Sequence, residues 1–265
     1  LMKNNVCKRA RSKEENYAIS VSQVICRRYC RSHAAFRHDH FPTTASAGEP
    51  WTADDITENM TIGWNIGNSL DSTGYSGETS WGNPRVTQEL IDTVKAKGFN
   101  TIRVPTTWYQ NVTTTTDENG KPVYTISEQW LQRVKEVVDY AYNQDMYVIL
   151  NLHHEEWINR SDFPTAYEEM SERLKQMWVQ IATYFKDYDQ HLIFEGMNEP
   201  RQTGASYEWQ GNAECYEVVN KLDNDFVETV RSIDSPYQNT RLLMIPVLCR
   251  FGIRKFLLCS GRAGR

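Results

Sequence analysis

Between Ile62 and Pro246 the chain repeats one unit: a short apolar, often β-branched run, then a longer segment with apolar residues at every third or fourth position. Ile62 to Asn68, Phe99 to Val104, Met146 to Leu152, His191 to Gly196 and Arg241 to Pro246 have the length and composition of strands. Between them, helical spacing recurs. Val86, Leu90 and Val94 form one stripe, with Gly98 where a helix stops. Ser127 is placed to cap a second helix, whose stripe is Trp130, Leu131, Val134, Val137, Val138 and Ala141. Tyr167, Met170, Leu174, Trp178, Ile181 and Phe185 mark a third, and a fourth covers about 214–232. Five strands alternating with four helices predict an α/β fold with a parallel sheet.

Two parallel architectures compete. A doubly wound sheet brings a glycine-rich phosphate loop after its first strand. Gly63-Trp64-Asn65-Ile66-Gly67 lacks the third glycine and puts a bulky Trp in the turn. In a (β/α)8 barrel, chemically marked residues stand at the C-terminal tips of the strands, and here they do. The expected fold class is therefore α/β of the TIM-type (β/α)8 barrel, with about five βα units present.

Charge divides the chain in three. Residues 1–46 hold nine Lys/Arg and three Asp/Glu, and residues 247–265 hold five Lys/Arg and no acid. The stretch 47–246 holds 15 basic and 31 acidic residues, a net charge of −16. Five of the six cysteines (Cys7, Cys26, Cys30, Cys249, Cys259) fall in the basic flanks. The expected organisation is a catalytic unit over 47–246 between two flanks, 1–46 and 247–265, that are foreign to it. An acidic middle argues against a nucleic-acid partner, since phosphate binding needs cations along the contact face. The cysteine spacings match no zinc pattern. No run of about 18 apolar residues marks a membrane span, and residues 1–30 show no signal-peptide core.

The residues with chemical promise cluster at strand tips. His191-Leu-Ile-Phe-Glu-Gly-Met-Asn198-Glu199-Pro200 delivers a carboxylate where a strand ends. A carboxylic acid of raised pKa can protonate a glycosidic oxygen, and Asn198 beside it can hydrogen-bond a sugar hydroxyl. Arg103 sits inside a strand, where a buried guanidinium needs an acid: either a structural partner, Glu195, or a catalytic carboxylate that it orients. Asn151-Leu152-His153-His154-Glu155-Glu156 closes the third strand. Alternation sends His153 and His154 to opposite faces, a poor metal clamp; a ring donating to a sugar hydroxyl suits them better, and Glu155 and Glu156 belong in a solvated loop. Trp64, Trp81, Trp108, Trp157 and Trp209 fall in loops or at strand ends, where several on one rim would form a platform for sugar rings. Asn59, Asn111 and Asn159 begin glycosylation triplets, a weak signal.

Taken together, Gly63-Trp64-Asn65-Ile66-Gly67-Asn68, Gly98-Phe99-Asn100-Thr101-Ile102-Arg103-Val104-Pro105, Val148 to His154 and Met197-Asn198-Glu199-Pro200 resemble glycoside hydrolase family 5, the cellulase group. Trp81-Gly82-Asn83-Pro84 is similar to the branch active on xyloglucan and mixed-linkage glucan. The resemblance covers roughly 50–246. It implies a retaining endo-β-1,4-glucanase acting on β-glucan polysaccharide or oligosaccharide, monomeric, secreted, and needing no metal or cofactor. By that likeness Glu199 is the acid/base, Asn198 binds the hydroxyl beside the anomeric carbon, Arg103 supports the nucleophile and His153 is the strand-three histidine. His154, Trp64, Asn65, Asn68, Trp81 and Trp157 are expected to contact substrate.

The family's nucleophile is a second Glu near the tip of a seventh strand, and this chain has no Asp or Glu after Asp234. The expectation is therefore a chain with little or no turnover, exposed strand edges and poor solubility. A non-catalytic β-glucan-binding remnant is the second reading. A metal hydrolase built on His153, His154 and Glu155 is the third.

Overall fold

The computed structural model describes residues 51–247, together with the backbone of two short strands, Ala18–Ser20 (β1) and Lys255–Cys259 (β9). The rest of the flanks 1–46 and 247–265, with the readings placed on them, lies outside the described residues.

A seven-stranded sheet runs in the order β1-β9-β8-β7-β6-β3-β2. Five of its strands are Gly63–Asn65 (β2, at one edge), Thr101–Val104 (β3), Tyr147–Asn151 (β6), Leu192–Glu195 (β7) and Leu243–Val247 (β8), each parallel to the next. They are the five strands expected from the apolar runs. Each successive strand lies beside the previous one, and the order never reverses. A doubly wound sheet has a reversal point; a barrel does not. β9 adds antiparallel to β8, and β1 to β9.

The four expected helices are Gln88–Ala96 (α2), Glu128–Tyr142 (α3), Tyr167–Tyr184 (α4) and Ala213–Ser232 (α5). Gly98 takes φ +92°, the left-handed backbone that ends a helix cheaply only at glycine. Ser127 is the N-cap of α3, but its side chain does not cap; its hydroxyl donates to Gln129 Oε1 at 2.8 Å instead. Besides β1 and β9, a helix and a hairpin escape the five-strand, four-helix scheme. Ala53–Asn59 (α1) is capped by a Thr52–Asp55 capping box. Val112–Thr116 (β4) and Pro122–Ile126 (β5) form an antiparallel hairpin.

Strand alternation divides the core. One face of the sheet turns Ile102, Val104, Val148, Leu150, Leu192 and Phe194 toward the helices, in a cluster that includes Trp178 and Phe226. The other face turns Tyr147, Ile149, Ile193 and Met244 toward α1, which closes it with Ala53 and Ile56. Beyond that apolar floor, toward the C-terminal strand tips, the same face carries Arg103, Asn151 and Glu195: Arg103 pairs in register with Ile149, and Asn151 with Glu195. Polar chemistry on an inner face, over an apolar floor, is the arrangement in which a barrel holds its site.

Candidate active site

The centre is a buried ion pair. Arg103 Nε and Nη2 donate to Glu195 Oε2 and Oε1 at 2.7 and 2.6 Å, a bidentate fork onto a carboxylate with no exposed surface. Arg103 Nη2 also donates to Asn198 Oδ1 at 3.0 Å, and Nη1 to Asn65 Oδ1 at 3.0 Å. The structural partner foreseen for Arg103 is thus real, and it leaves the guanidinium orienting Asn198. With Oδ1 engaged by Arg103, the Asn198 Nδ2 hydrogens are left for another acceptor. Asn151 ties in the third strand: its Nδ2 lies 3.3 Å from Glu195 Oε1 and 3.1 Å from His153 Nδ1, while Oδ1 accepts from Thr106 N.

Glu199 follows three residues after Gly196. A Cβ at 196 would meet the Phe226 ring at 2.7 Å, so only glycine lets this tip pass beneath α5. Glu199 itself has φ +54°. The other described non-glycine residues with positive φ are Asn68 and Asp145, types that tolerate this region; a Glu there carries about 1–3 kcal/mol of strain. The neighbours hold it. Asn198 N donates to Leu152 O at 2.8 Å, and Pro200 follows. Arg201 Nη1 donates to Glu199 O at 3.1 Å and lies 3.7 Å from its Oε2. In the amide orientation that satisfies both neighbours, Asn159 donates to Glu199 O at 2.8 Å and accepts from Arg201 Nη1 at 3.2 Å. The side chain stays 37% exposed while everything that positions it is half-buried or buried. Strain of this kind persists where a functional group must be aimed.

The two histidines do not diverge. β6 ends at Asn151, so alternation lapses, and the rings of His153 and His154 meet edge to face at 4.4 Å. They converge with Asp71, their ligating atoms all within 4.8 Å of one another. Asp71 was not foreseen. Its carboxylate is buried and accepts from Ser69 N at 2.7 Å and Asn68 N at 3.1 Å. The wiring nonetheless suits donation better than cation ligation. Asn151 presents a donor to His153 Nδ1, which makes Nδ1 the acceptor and leaves the proton on Nε2. Burial, then the Arg103 and His154 charges, push the His153 pKa down to about 2. Burial likewise lowers that of His154. Both rings are neutral at physiological pH, and His153 Nε2–H is a fixed neutral donor.

The aromatic expectations divide. Trp81 is 43% exposed and lies 5.3 Å from the His154 ring, a plate beside the donors. Asn65 meets Arg103, and Asn68 is an exposed residue whose backbone braces Asp71. Trp64 is misplaced as a substrate contact: it pairs with Ile102, shares that residue's face of the sheet, opposite Arg103, and packs edge-on against Phe99 at 5.5 Å. Trp157 is also corrected. It is buried, its Nε1 donates to Glu155 Oε2 at 2.5 Å and Arg173 lies over its ring, so no sugar can reach it. Trp108 is buried too, donating to Asn151 O at 2.8 Å. Glu155 is not in a solvated loop: it is fully buried and accepts from Trp108 N at 2.6 Å as well as from Trp157. Burial raises its pKa. Glu156 is exposed, accepting from the Tyr109 hydroxyl at 2.9 Å.

An aimed, accessible carboxylate, neutral fixed donors at Asn198 and His153, and a flat indole beside them together suit a ligand rich in hydroxyls with flat apolar faces. Residues 65–247 match the family model described as Cellulase (glycosyl hydrolase family 5). Endoglucanase A of Clostridium longisporum is 42% identical over 224 residues, covering 80% of this chain and 41% of that protein. Endoglucanase A of Ruminococcus albus is 43% identical over 198 residues, 73% of this chain and 52% of its own. Among solved structures, a broad-specificity endoglucanase from Ruminococcus flavefaciens is similar with TM-score 0.69 and 51% identity, covering 76% of this chain and 57% of that one. A xyloglucan-specific endo-β-1,4-glucanase from a metagenomic library, solved with cellotriose, follows at TM-score 0.67 and 45% identity, over 72% and 56%. The chain spans about half the length of the curated relatives it matches. With the inner-face site and the unreversed strand order, these matches establish that the chain belongs to glycoside hydrolase family 5, the cellulase family of (β/α)8 barrels.

Proposed function

We propose that this chain carries the acid/base half of a retaining endo-β-1,4-glucanase site and binds β-glucan through it. The observation that carries the reading is Glu199: a partly exposed carboxylate on a left-handed strand tip, beside donors whose orientation the Arg103–Glu195 pair fixes. In the mechanism, the Glu199 carboxyl protonates the departing glycosidic oxygen, a second carboxylate attacks the anomeric carbon, and Glu199 then takes a proton from the water that releases the sugar. Asn198 Nδ2 and His153 Nε2–H donate to ring hydroxyls, and the Trp81 face covers a sugar. Neutral histidines suit this part, because they hold a hydroxyl without adding positive charge near an oxocarbenium-like centre.

Among the described residues we find no carboxylate suited to the attacking half. Retention needs it about 5–5.5 Å from Glu199. Glu195 is sealed in its fork with Arg103, Glu155 is buried under Trp108 and Trp157, and Glu156 is hydrogen-bonded to Tyr109. None of these supports a nucleophile. We therefore read this chain as binding cello-oligosaccharides with little or no hydrolysis, and as monomeric, without a nucleic-acid or membrane partner. The parent enzyme is read as secreted, because its polymeric substrate stays outside the cell. The unit that carries the site runs over 47–246.

The test is the purified chain on carboxymethyl-cellulose and on cello-oligosaccharides. Binding without release of reducing ends supports the reading. Hydrolysis abolished by Glu199→Gln would prove a nucleophile within the chain and overturn the half-site. No binding at all would overturn the glucan assignment.

A further inference from the structure

We propose that the buried Glu78–Arg133 ion pair is a positioning device: it fixes the turn that presents Trp81 to the sugar, and it does so from a helix that touches no substrate. The inference rests on the β-glucan reading of the site and deepens it. Trp81 stands on the long connection between β2 and α2, beside the ring of His154. Glu78 lies in the 3₁₀ turn Gly77–Thr79, three residues before it. Gly82 N donates to Thr79 O at 3.1 Å, so the backbone on both sides of the indole is folded onto that turn. The Glu78 carboxylate reaches α3, where Arg133 Nε donates to Oε2 at 3.2 Å and Nη2 to Oε1 at 3.1 Å. Each of these side chains is only 8% exposed. The same guanidinium closes the far end of the turn, since Nη2 also donates to Val86 O at 2.7 Å. Arg85 Nε adds a contact to Glu78 Oε1 at 3.3 Å, and Glu136 Oε2 accepts from Arg133 Nη1 at 2.5 Å, which holds the fork in place. One arginine thus clamps the chain before and after Trp81.

Stability is a poor reason for such a pair. Desolvating two charges costs about as much as their attraction returns, whereas a planar fork on a carboxylate sets direction as well as distance. The turn needs that direction. Gly77 and Gly82 flank Glu78 and Trp81 with φ of +56° and +94°, and backbone of this kind has many arrangements to lose. A stacking ring is useful only with its face already turned to the ligand, because ordering it afterwards is subtracted from affinity. α3 packs its Leu131, Val134 and Val138 on the face of the sheet opposite Arg103. Glu78 and Arg133 therefore act on binding through Trp81.

The experiment is calorimetric titration with cellohexaose of four forms of the full chain: wild type, Glu78→Gln, Trp81→Ala and the double variant. The expected result is a loss of about threefold or more on Glu78→Gln in the wild-type background, and a change of under about twofold on adding it to Trp81→Ala. Unchanged affinity in Glu78→Gln, or losses that simply add, overturn the positioning role while leaving the glucan reading intact. Should Glu78→Gln not fold, Glu78→Met/Arg133→Met removes both charges together and takes its place in the same cycle. A second reading needs no sugar: the indole N–H resonance of Trp81 in the unliganded chain, assigned by its disappearance in Trp81→Ala. It is expected to be single and sharp in wild type and broadened or split in Glu78→Gln, with the Trp108 and Trp157 resonances unmoved. A sharp, unshifted Trp81 resonance in Glu78→Gln overturns the inference. A wild-type chain that binds no cellohexaose overturns the glucan reading, and the indole resonance then decides whether the pair sets the ring.

Discussion

Removing the Arg103 guanidinium tests the frame on which the site hangs. Glu195 has no exposed surface, and its partners among the described residues are two short Arg103 bonds at 2.6 and 2.7 Å and a longer one from Asn151 at 3.3 Å. Arg103→Met deletes the two short bonds and leaves a carboxylate buried beside a thioether. Losing one partner of a buried pair costs about 3–5 kcal/mol, because the remaining charge is uncompensated. Glu195→Met strands the guanidinium instead, but Arg103 is 22% exposed and keeps Asn65 and Asn198, so its cost falls at or below the lower end of that range. The double variant replaces the pair with apolar bulk and restores much of the loss, giving a coupling energy of about 2 kcal/mol or more. Urea unfolding followed by tryptophan fluorescence and far-ultraviolet circular dichroism reads this out. With a slope of at most about 3 kcal/mol per molar urea, Arg103→Met moves the midpoint down by about 1 M or more. Single variants that each cost under about 1 kcal/mol and add without coupling would refute the claim that this pair holds the site together.

Three further outcomes follow from the same geometry. His153 has a folded pKa near 2 against 6.5 unfolded, so the unfolded state binds the extra proton; its contribution is fully present above about pH 6.5 and is lost as pH falls toward 2. His153→Gln therefore flattens the acid limb of stability by up to about 1.4 kcal/mol per pH unit below 6.5, measured by denaturation at pH 7, 6 and 5; an unchanged limb contradicts the buried neutral ring. Asp223 lies buried on α5 with Oδ1 unpartnered, and burial raises its pKa well above the usual carboxylate range. Its folded state holds a proton that the unfolded state has released, so stability is lost as pH rises above about 4. Asp223→Asn stabilises by about 1–3 kcal/mol at pH 7 and little at pH 3, read from melting curves at both values. Trp157→Ala costs about 3–5 kcal/mol by opening a cavity and freeing Glu155, whereas Trp81→Ala costs little stability and weakens oligosaccharide binding; the reverse pattern in melting and titration contradicts the assignment of the two rings.

What the sequence made legible was local. Apolar runs and helical stripes located the five parallel strands and four helices: burial on both faces leaves near-continuous apolar segments in β3, β6, β7 and β8, the helices carry one apolar side, and β2, exposed at Gly63–Asn65, was marked by its flanking Ile62 and Ile66. Asn198-Glu199-Pro200 was legible because the apolar run of β7 gives way to polar residues and a proline just beyond its end at Glu195. The hairpin was missed despite the Asn119-Gly120 turn between two Thr- and Val-bearing runs, and α1 despite Thr52 and Asp55 at capping-box spacing.

What stayed hidden was register and reach. Trp64 and Asn65 are adjacent in sequence, yet only their pairing with Ile102 and Arg103 shows which of them faces the site. Trp81, Trp108 and Trp157 are alike in composition and context, and only tertiary packing exposes the first and buries the others. Asp71 joins the histidines across 82 residues, a meeting no local pattern announces. His153 and His154 converge because the strand stops at Asn151, beyond which side chains no longer alternate between faces.

The central claim is that the strained tip of β7 aims a proton donor at a bound β-glucan. A crystal structure of the full chain with a cello-oligosaccharide tests it most directly. The account predicts a glycosidic oxygen within about 3 Å of the Glu199 carboxyl, hydroxyls on Asn198 Nδ2 and His153 Nε2, and a sugar face on Trp81. A glucan seated elsewhere, or bound here with the Glu199 side chain turned away from every glycosidic oxygen, would contradict it.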